Sequence, residues 1–131
     1  MEEKLLREAG EDYLEAILQL EDGNGNVRSI DVATRLGVSR PSVNKALGVL
    51  KKAGMVEQQP YGSISLTQQG RTHAQDVARR HETLKAFLIC VLGVDEEIAD
   101  ADACKMEHVV SIQTMSKLTG FFSDYIGRKL V

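Results

Sequence analysis

The stretch Asp100–His108, D-A-D-A-C-K-M-E-H, holds the densest group of side chains in this sequence able to do chemistry. On a helix, Cys104, Glu107 and His108 fall at i, i+3 and i+4 and share one face. A thiol, a carboxylate and an imidazole within one turn are three ligand types for first-row transition metals. The competing reading makes Cys104 a small buried hydrophobe and leaves Glu107 and His108 on solvent. Two other places offer ligands. Asp12 and Glu15 sit three apart on an N-terminal helical stretch and can face one partner, though solvated surface acids would look the same. His81 shares a helical side with Val77, Leu84 and Leu88, so partial burial is expected. A histidine placed that way is more often a hydrogen-bonded core residue than a ligand.

Helices must position these groups. The chain has 131 residues, 43% apolar and 27% charged, with no Trp and only two prolines, Pro41 and Pro60. That suits a soluble, mainly α protein of one domain, or of one domain with an appendage. Leu5–Leu20 carries apolar residues at helical spacing and stops at the turn formers Asp22–Asn26. Ser29 is the expected cap of a short helix whose stripe is Ile30, Ala33 and Leu36, followed by a turn at Gly37. Ser39 then caps a second helix with Pro41 in its first turn, Val43, Ala46, Leu47 and Leu50 facing inward, and Gly54 at its end. Helix, glycine turn and capped helix make a helix-turn-helix pattern.

In such a unit the start of the second helix reaches base edges in the major groove. Here that start offers Ser39, Arg40, Pro41, Ser42, Asn44 and Lys45, and Arg and Asn can pair bidentately with G and A. Around Pro60–Ser63 the pattern changes to two short strands and a turn, which would make a wing. Arg28, Lys51, Tyr61 and Ser63 complete the expected DNA-binding set, with the wing lying along the phosphate backbone. The formal net charge of −3 argues by itself against a nucleic-acid binder. Its distribution argues the other way: Arg28–Lys52 contains six basic residues against Asp31 alone, between an acidic start and an acidic patch after Val94.

Thr67 is a plausible cap for a long helix running to Leu92, after which Gly93 breaks the chain and Asp95 caps the acidic helix. Ser111 can cap a last helix with Met115, Leu118, Phe121, Phe122 and Ile126 at helical spacing, a stripe suited to a dimer contact. Cys90, within an apolar run, reads as a buried filler, and two cysteines make no disulfide framework. The charged start offers no signal peptide, and no apolar run approaches the ~20 residues needed to span a bilayer, so a cytoplasmic location is expected.

The motifs E-D-Y-L-E-A-I (11–17), A-T-R-L-G-V-S-R-P-S-V (33–43), L-T-Q-Q-G (66–70), R-R-H-E (79–82), G-V-D (93–95) and C-K-M-E-H-V (104–109) resemble those of the diphtheria-toxin-repressor and manganese-transport-regulator family. The last two are the specific ones. The resemblance implies a winged-helix DNA-binding domain over 1–70 and a helical metal-binding and dimerisation domain over 71–131. The SH3-like third domain of longer members is expected to be absent. It also implies one ligand set from Asp12, Glu15, His81, Cys104, Glu107 and His108. Asp12 and Glu15 match the manganese branch, whereas Cys104 matches the iron branch. An ancillary site of the iron branch uses an acid where this chain has Lys85.

The implied function is a regulator, not an enzyme: a Mn²⁺- or Fe²⁺-dependent repressor of metal-uptake genes. It would bind palindromic double-stranded DNA as a homodimer, and Co²⁺, Ni²⁺ or Zn²⁺ could substitute in vitro. No organic cofactor and no membrane partner are expected. The rival is a metal-independent winged-helix regulator that senses an organic ligand or a partner, with the same DNA-binding surface. A small metallohydrolase is disfavoured, because the chain has no H-E-x-x-H, phosphate loop or nucleophile motif.

Overall fold

The computed structural model describes residues 10–24 and 26–130, so the Leu5 end of the first expected helix lies outside the described residues. In chain order the elements are α1 (Gly10–Asn24), α2 (Ser29–Leu36), α3 (Arg40–Lys52), β1 (Val56–Gln58), β2 (Ile64–Leu66), α4 (Gln68–Cys90), α5 (Glu96–Met106) and α6 (Ile112–Leu130). The fold is mainly helical, a winged helix-turn-helix followed by helices. The chain falls into two compact units that divide after Val77, inside α4.

In the first unit, Leu14 and Ile17 of α1, Val32 of α2, Val43, Leu47 and Leu50 of α3, and Ile64 of the wing are fully buried in one core. The turn between α2 and α3 forms as its residues dictate. Gly37 takes a left-handed φ of 67°, which costs glycine nothing, and the Ser39 Oγ accepts the Ser42 N–H at 3.2 Å. The start of α2 differs from expectation. Arg28, not Ser29, precedes the helix, and the Asp31 carboxylate accepts the Arg28 N–H at 2.9 Å. An acid at the third helical position satisfies the open end from within, which frees Ser29 to be buried. The inward face of α2 accordingly holds Val32 and Ala33, whereas Ile30 is 49% exposed.

The wing is a two-stranded antiparallel hairpin pairing Val56 with Leu66, Glu57 with Ser65 and Gln58 with Ile64. A further, isolated antiparallel bridge joins Val27 to Ile64. Glu21 of α1 locks this unit: one carboxylate oxygen accepts the Leu66 N–H at 3.0 Å, and the other pairs with Arg71 at 2.5 Å. The buried Glu11 is paired with His73 at 2.6 Å. Thr67 caps α4 as expected, its Oγ1 accepting the Gly70 N–H at 3.0 Å.

In the second unit, Leu84, Ala103 and Met115 are buried together, with Met106, Val110 and Leu118 packed against them. Ser111 caps α6 by accepting the Thr114 N–H at 3.1 Å. Phe121 packs edge-on against Phe87, with ring centroids 6.1 Å apart. Cys90 is exposed, not a core filler: it is the last residue of α4, and its carbonyl accepts the Tyr125 hydroxyl at 3.3 Å. Among the described residues, no helix is long and apolar enough to cross a membrane.

Candidate metal centre

His81 comes from the middle of α4, and Glu107 and His108 from the turn that follows α5. The helix that was expected to carry all three acidic-stretch ligands ends at Met106, with Glu107 as its C-cap. The Glu107 N–H still bonds the Ala103 carbonyl at 2.9 Å, so the side chain keeps its helical direction while the chain turns away. The result separates the trio by burial: Glu107 and His108 are buried, whereas Cys104, one turn earlier, is exposed and in no disulfide.

Glu107 is the pivot. Its side chain is 0% exposed, with Oε2 2.8 Å from His81 Nδ1 and Oε1 3.3 Å from His108 Nε2. A buried carboxylate is tolerable only when cationic or donor groups face it. Here an imidazole nitrogen faces each oxygen. The other nitrogen of His81, Nε2, donates to Asp100 Oδ1 at 2.9 Å. His81 thus stands between two carboxylates. Burial alone would lower its pKa, but hydrogen bonds to Asp100 and Glu107 and the charges of both outweigh burial and raise it. Asp100 shows the counterpart: its hydrogen bond to His81, joined by Lys85, lowers its pKa.

This arrangement fits a first-row divalent cation. His81 and His108 face opposite oxygens of one buried carboxylate, Glu107, and imidazole and carboxylate are ligands of the right type. The proton between His81 Nδ1 and Glu107 Oε2 is what a cation there would replace. Asp12 and Glu15, both half-buried, lie on α1 in the first unit. Sequence reasoning missed Asp100 as a partner of His81, because 19 residues separate them. The available signal was the i, i+4 pair Glu96–Asp100 on the acidic helix, matched by His81–Lys85 on α4.

The nucleic-acid candidates lie on the first unit. Ser39, the cap of α3, and Arg40, Pro41, Ser42, Asn44, Lys45 and Lys51 within it are exposed, whereas Val43, Ala46, Leu47 and Leu50 are buried. At the wing, Tyr61 is 69% exposed, Ser63 is half-buried, and Arg28 Nη1 donates to the Tyr61 carbonyl at 3.0 Å.

Known proteins match both units. Residues 5–64 match the family model for the iron-dependent repressor N-terminal DNA-binding domain. Residues 67–125 match that for the iron-dependent repressor metal-binding and dimerisation domain. The transcriptional regulator MntR of Escherichia coli O6:H1 is 44% identical over 109 residues, which cover 83% of this chain and 70% of that protein. The diphtheria toxin repressor of Corynebacterium glutamicum is 30% identical over 121 residues, covering 92% of this chain and 53% of that protein. Among solved structures, a manganese-dependent transcriptional repressor in complex with manganese aligns with a TM-score of 0.79 at 29% identity, covering 87% of this chain and 52% of that one. The chain therefore spans about half the length of that solved relative. These relatives are transcriptional regulators, not enzymes, and this chain belongs with them to the iron-dependent repressor family of metal-dependent transcriptional repressors.

Proposed function

We propose that this chain is a cytoplasmic repressor of metal-uptake genes. In this reading Mn²⁺ or Fe²⁺ strengthens its binding, as a homodimer, to palindromic double-stranded DNA. The observation that carries the reading is the fully buried Glu107 carboxylate with an imidazole nitrogen against each oxygen. His81, Glu107 and His108 would hold the ion, and the resemblance adds Asp12, Glu15 and Cys104 to the set. The relative solved in complex with manganese supports Mn²⁺, and the Cys104 thiol extends the range to Fe²⁺. A bound cation would supply positive charge to the buried Glu107 carboxylate in place of imidazole protons. The chain's own part is to converge the donors and to give up those protons.

Residues 1–70 are assigned the DNA-reading role and 71–131 the metal and dimer roles. Ser39, Arg40, Pro41, Ser42, Asn44 and Lys45 would face the major groove. Arg28, Lys51, Tyr61 and Ser63 would contact the phosphate backbone. Support for a second copy comes from α6, where Ile112 is 85% and Phe121 49% exposed. Coupling of ~1–3 kcal/mol between metal and DNA would tighten DNA binding roughly 5- to 150-fold, and DNA would tighten metal binding by the same factor.

The test is a titration of Mn²⁺, and of Fe²⁺ under anaerobic conditions, against binding to the DNA upstream of the protein's own gene. Affinity should rise with metal in the wild type. It should stay flat in Glu107→Ala, with the fold retained. Wild-type DNA affinity that ignores every divalent ion would end the reading.

A further inference from the structure

His81 Nε2 and Lys85 Nζ converge on the same oxygen, Asp100 Oδ1, at 2.9 and 3.4 Å. His81 and Lys85 are one turn apart on α4, and Asp100 is one turn beyond Glu96 on α5. Glu96 reaches the same ammonium at 3.8 Å. Asp100 is half-exposed, with a side-chain exposure of 55%. A carboxylate that open to water rarely holds one geometry unless something fixes it. Here Lys85, only 28% exposed, holds the same oxygen that the imidazole holds.

A carboxylate only accepts hydrogen bonds, so the nitrogen facing Asp100 must carry the proton. The nitrogen facing Glu107 carries one too, at 2.8 Å from that carboxylate. It is this proton that a cation beside Glu107 would displace, leaving Nδ1 as the donor while Asp100 keeps the proton on Nε2. Histidines that ligate metals commonly pass their second N–H to a carboxylate in this way, which sets both the ring angle and the donating nitrogen.

We propose that Asp100, anchored by Lys85, is a positioning residue that fixes the His81 ring so that Nδ1 is the nitrogen offered to the metal beside Glu107. The inference rests on the metal reading above and assigns Asp100 no contact with the ion. Lys85 acts one step further out, by holding the carboxylate that holds the ring.

The test compares wild type with Asp100→Ala, Asp100→Asn, Lys85→Met and Glu107→Gln. Mn²⁺ affinity and stoichiometry are read by competition with a fluorescent chelator. The His81 ring nitrogens are read by long-range ¹H–¹⁵N correlation in the Zn²⁺-loaded protein. Asp100→Ala should weaken Mn²⁺ roughly 10- to 100-fold at unchanged stoichiometry. Asp100→Asn, which keeps an acceptor oxygen, should recover part of that loss. Lys85→Met should lose less, in the same direction. The wild-type ring should show a protonated Nε2 and a metal-bound Nδ1, and Asp100→Ala a mixture. Alanine is a better helix former than aspartate, so folding is not at risk.

Wild-type affinity and an unchanged ring signature in Asp100→Ala would overturn the positioning role. So would the loss of a whole metal equivalent, which would make Asp100 a ligand. Glu107→Gln separates this failure from that of the underlying reading. If it binds Mn²⁺ as wild type does, the metal site itself is wrong and the positioning role falls with it. If it loses the metal while Asp100→Ala keeps it, only the positioning role falls.

Discussion

Replacing Gly70 by alanine should damage the first unit far more than its position in a helix suggests. A Cβ at Gly70 would stand 1.9 Å from the Met55 carbonyl oxygen and 2.8 Å from its carbon. Both are backbone atoms, so no rotamer change relieves the contact. Reaching a contact of 3.0 Å, the shortest that real Cβ atoms tolerate, needs an opening of about 1 Å. That opening acts on a tight knot. The Met55 carbonyl accepts the Thr67 N–H at 3.0 Å, Thr67 Oγ1 donates to the Gly54 carbonyl at 2.6 Å, and the same Oγ1 accepts the Gly70 N–H at 3.0 Å.

Overpacking costs ~1–3 kcal/mol, and each weakened hydrogen bond ~0.5–1.5 kcal/mol. Against these stands a gain of ~1 kcal/mol from helix propensity. The net is a loss of about 3 kcal/mol, or roughly 12–24 °C in the melting temperature of a unit this size. Gly48 provides the control. It is also inside a helix, but a Cβ there meets nothing within 4 Å. Gly48→Ala should raise the midpoint by up to ~1 kcal/mol equivalent. Thermal and urea melts followed by far-UV circular dichroism decide it. A Gly70→Ala protein that melts with the wild type, or substitutions that shift the midpoint in the same direction, would refute the reasoning.

Other predictions concern protons, caps and the wing. The pKa of His81 is raised in the folded apo-protein, chiefly by Asp100 and Glu107 against the opposing effect of burial. Its contribution is therefore fully present below the unfolded value near ~6.5 and is lost as pH rises through the raised folded value. Apo melting temperature in chelator should fall over that window, with His81→Ala flattening the slope, while Mn²⁺ affinity should rise over the same window. Ser39→Ala removes the acceptor of the Ser42 N–H and should cost ~1 kcal/mol by urea melt. Arg28→Ala should leave stability nearly unchanged, because the side chain is exposed. It should weaken DNA binding across sequences and lower the salt slope by ~1 in a fluorescence anisotropy series.

The helix-turn-helix was legible because its signals are local. Gly37, Ser39, Pro41 and the Val43–Leu50 stripe all fall within a few residues of one another. The hairpin was legible for the same reason. The cap of α2 was misread because Asp31, three residues inside the helix, does the work assigned to Ser29. In the candidate site, residue types were readable and geometry was not. Glu107 and His108 were placed on a helix that in fact ends before them, so their burial and the exposure of Cys104 could not be foreseen from a single face. The pairs His81–Asp100 and Glu11–His73 join residues 19 and 62 apart, distances over which no periodic pattern speaks.

The wing draws its shape from outside itself. Its two strands are three residues each, and Asn26, Val27 and Arg28 each hold it: Asn26 Oδ1 accepts from Ser63 Oγ at 3.1 Å, Val27 bridges Ile64, and Arg28 bonds the Tyr61 carbonyl. Neighbouring side chains in such a pairing point to opposite sides, so a slip of one residue against Ile64 would turn Val27 outward and Arg28 inward. Residues 26–28 thus act as a template for the hairpin tip, and a slip of one residue in that pairing would invert what the tip presents, whereas a slip of two would keep it.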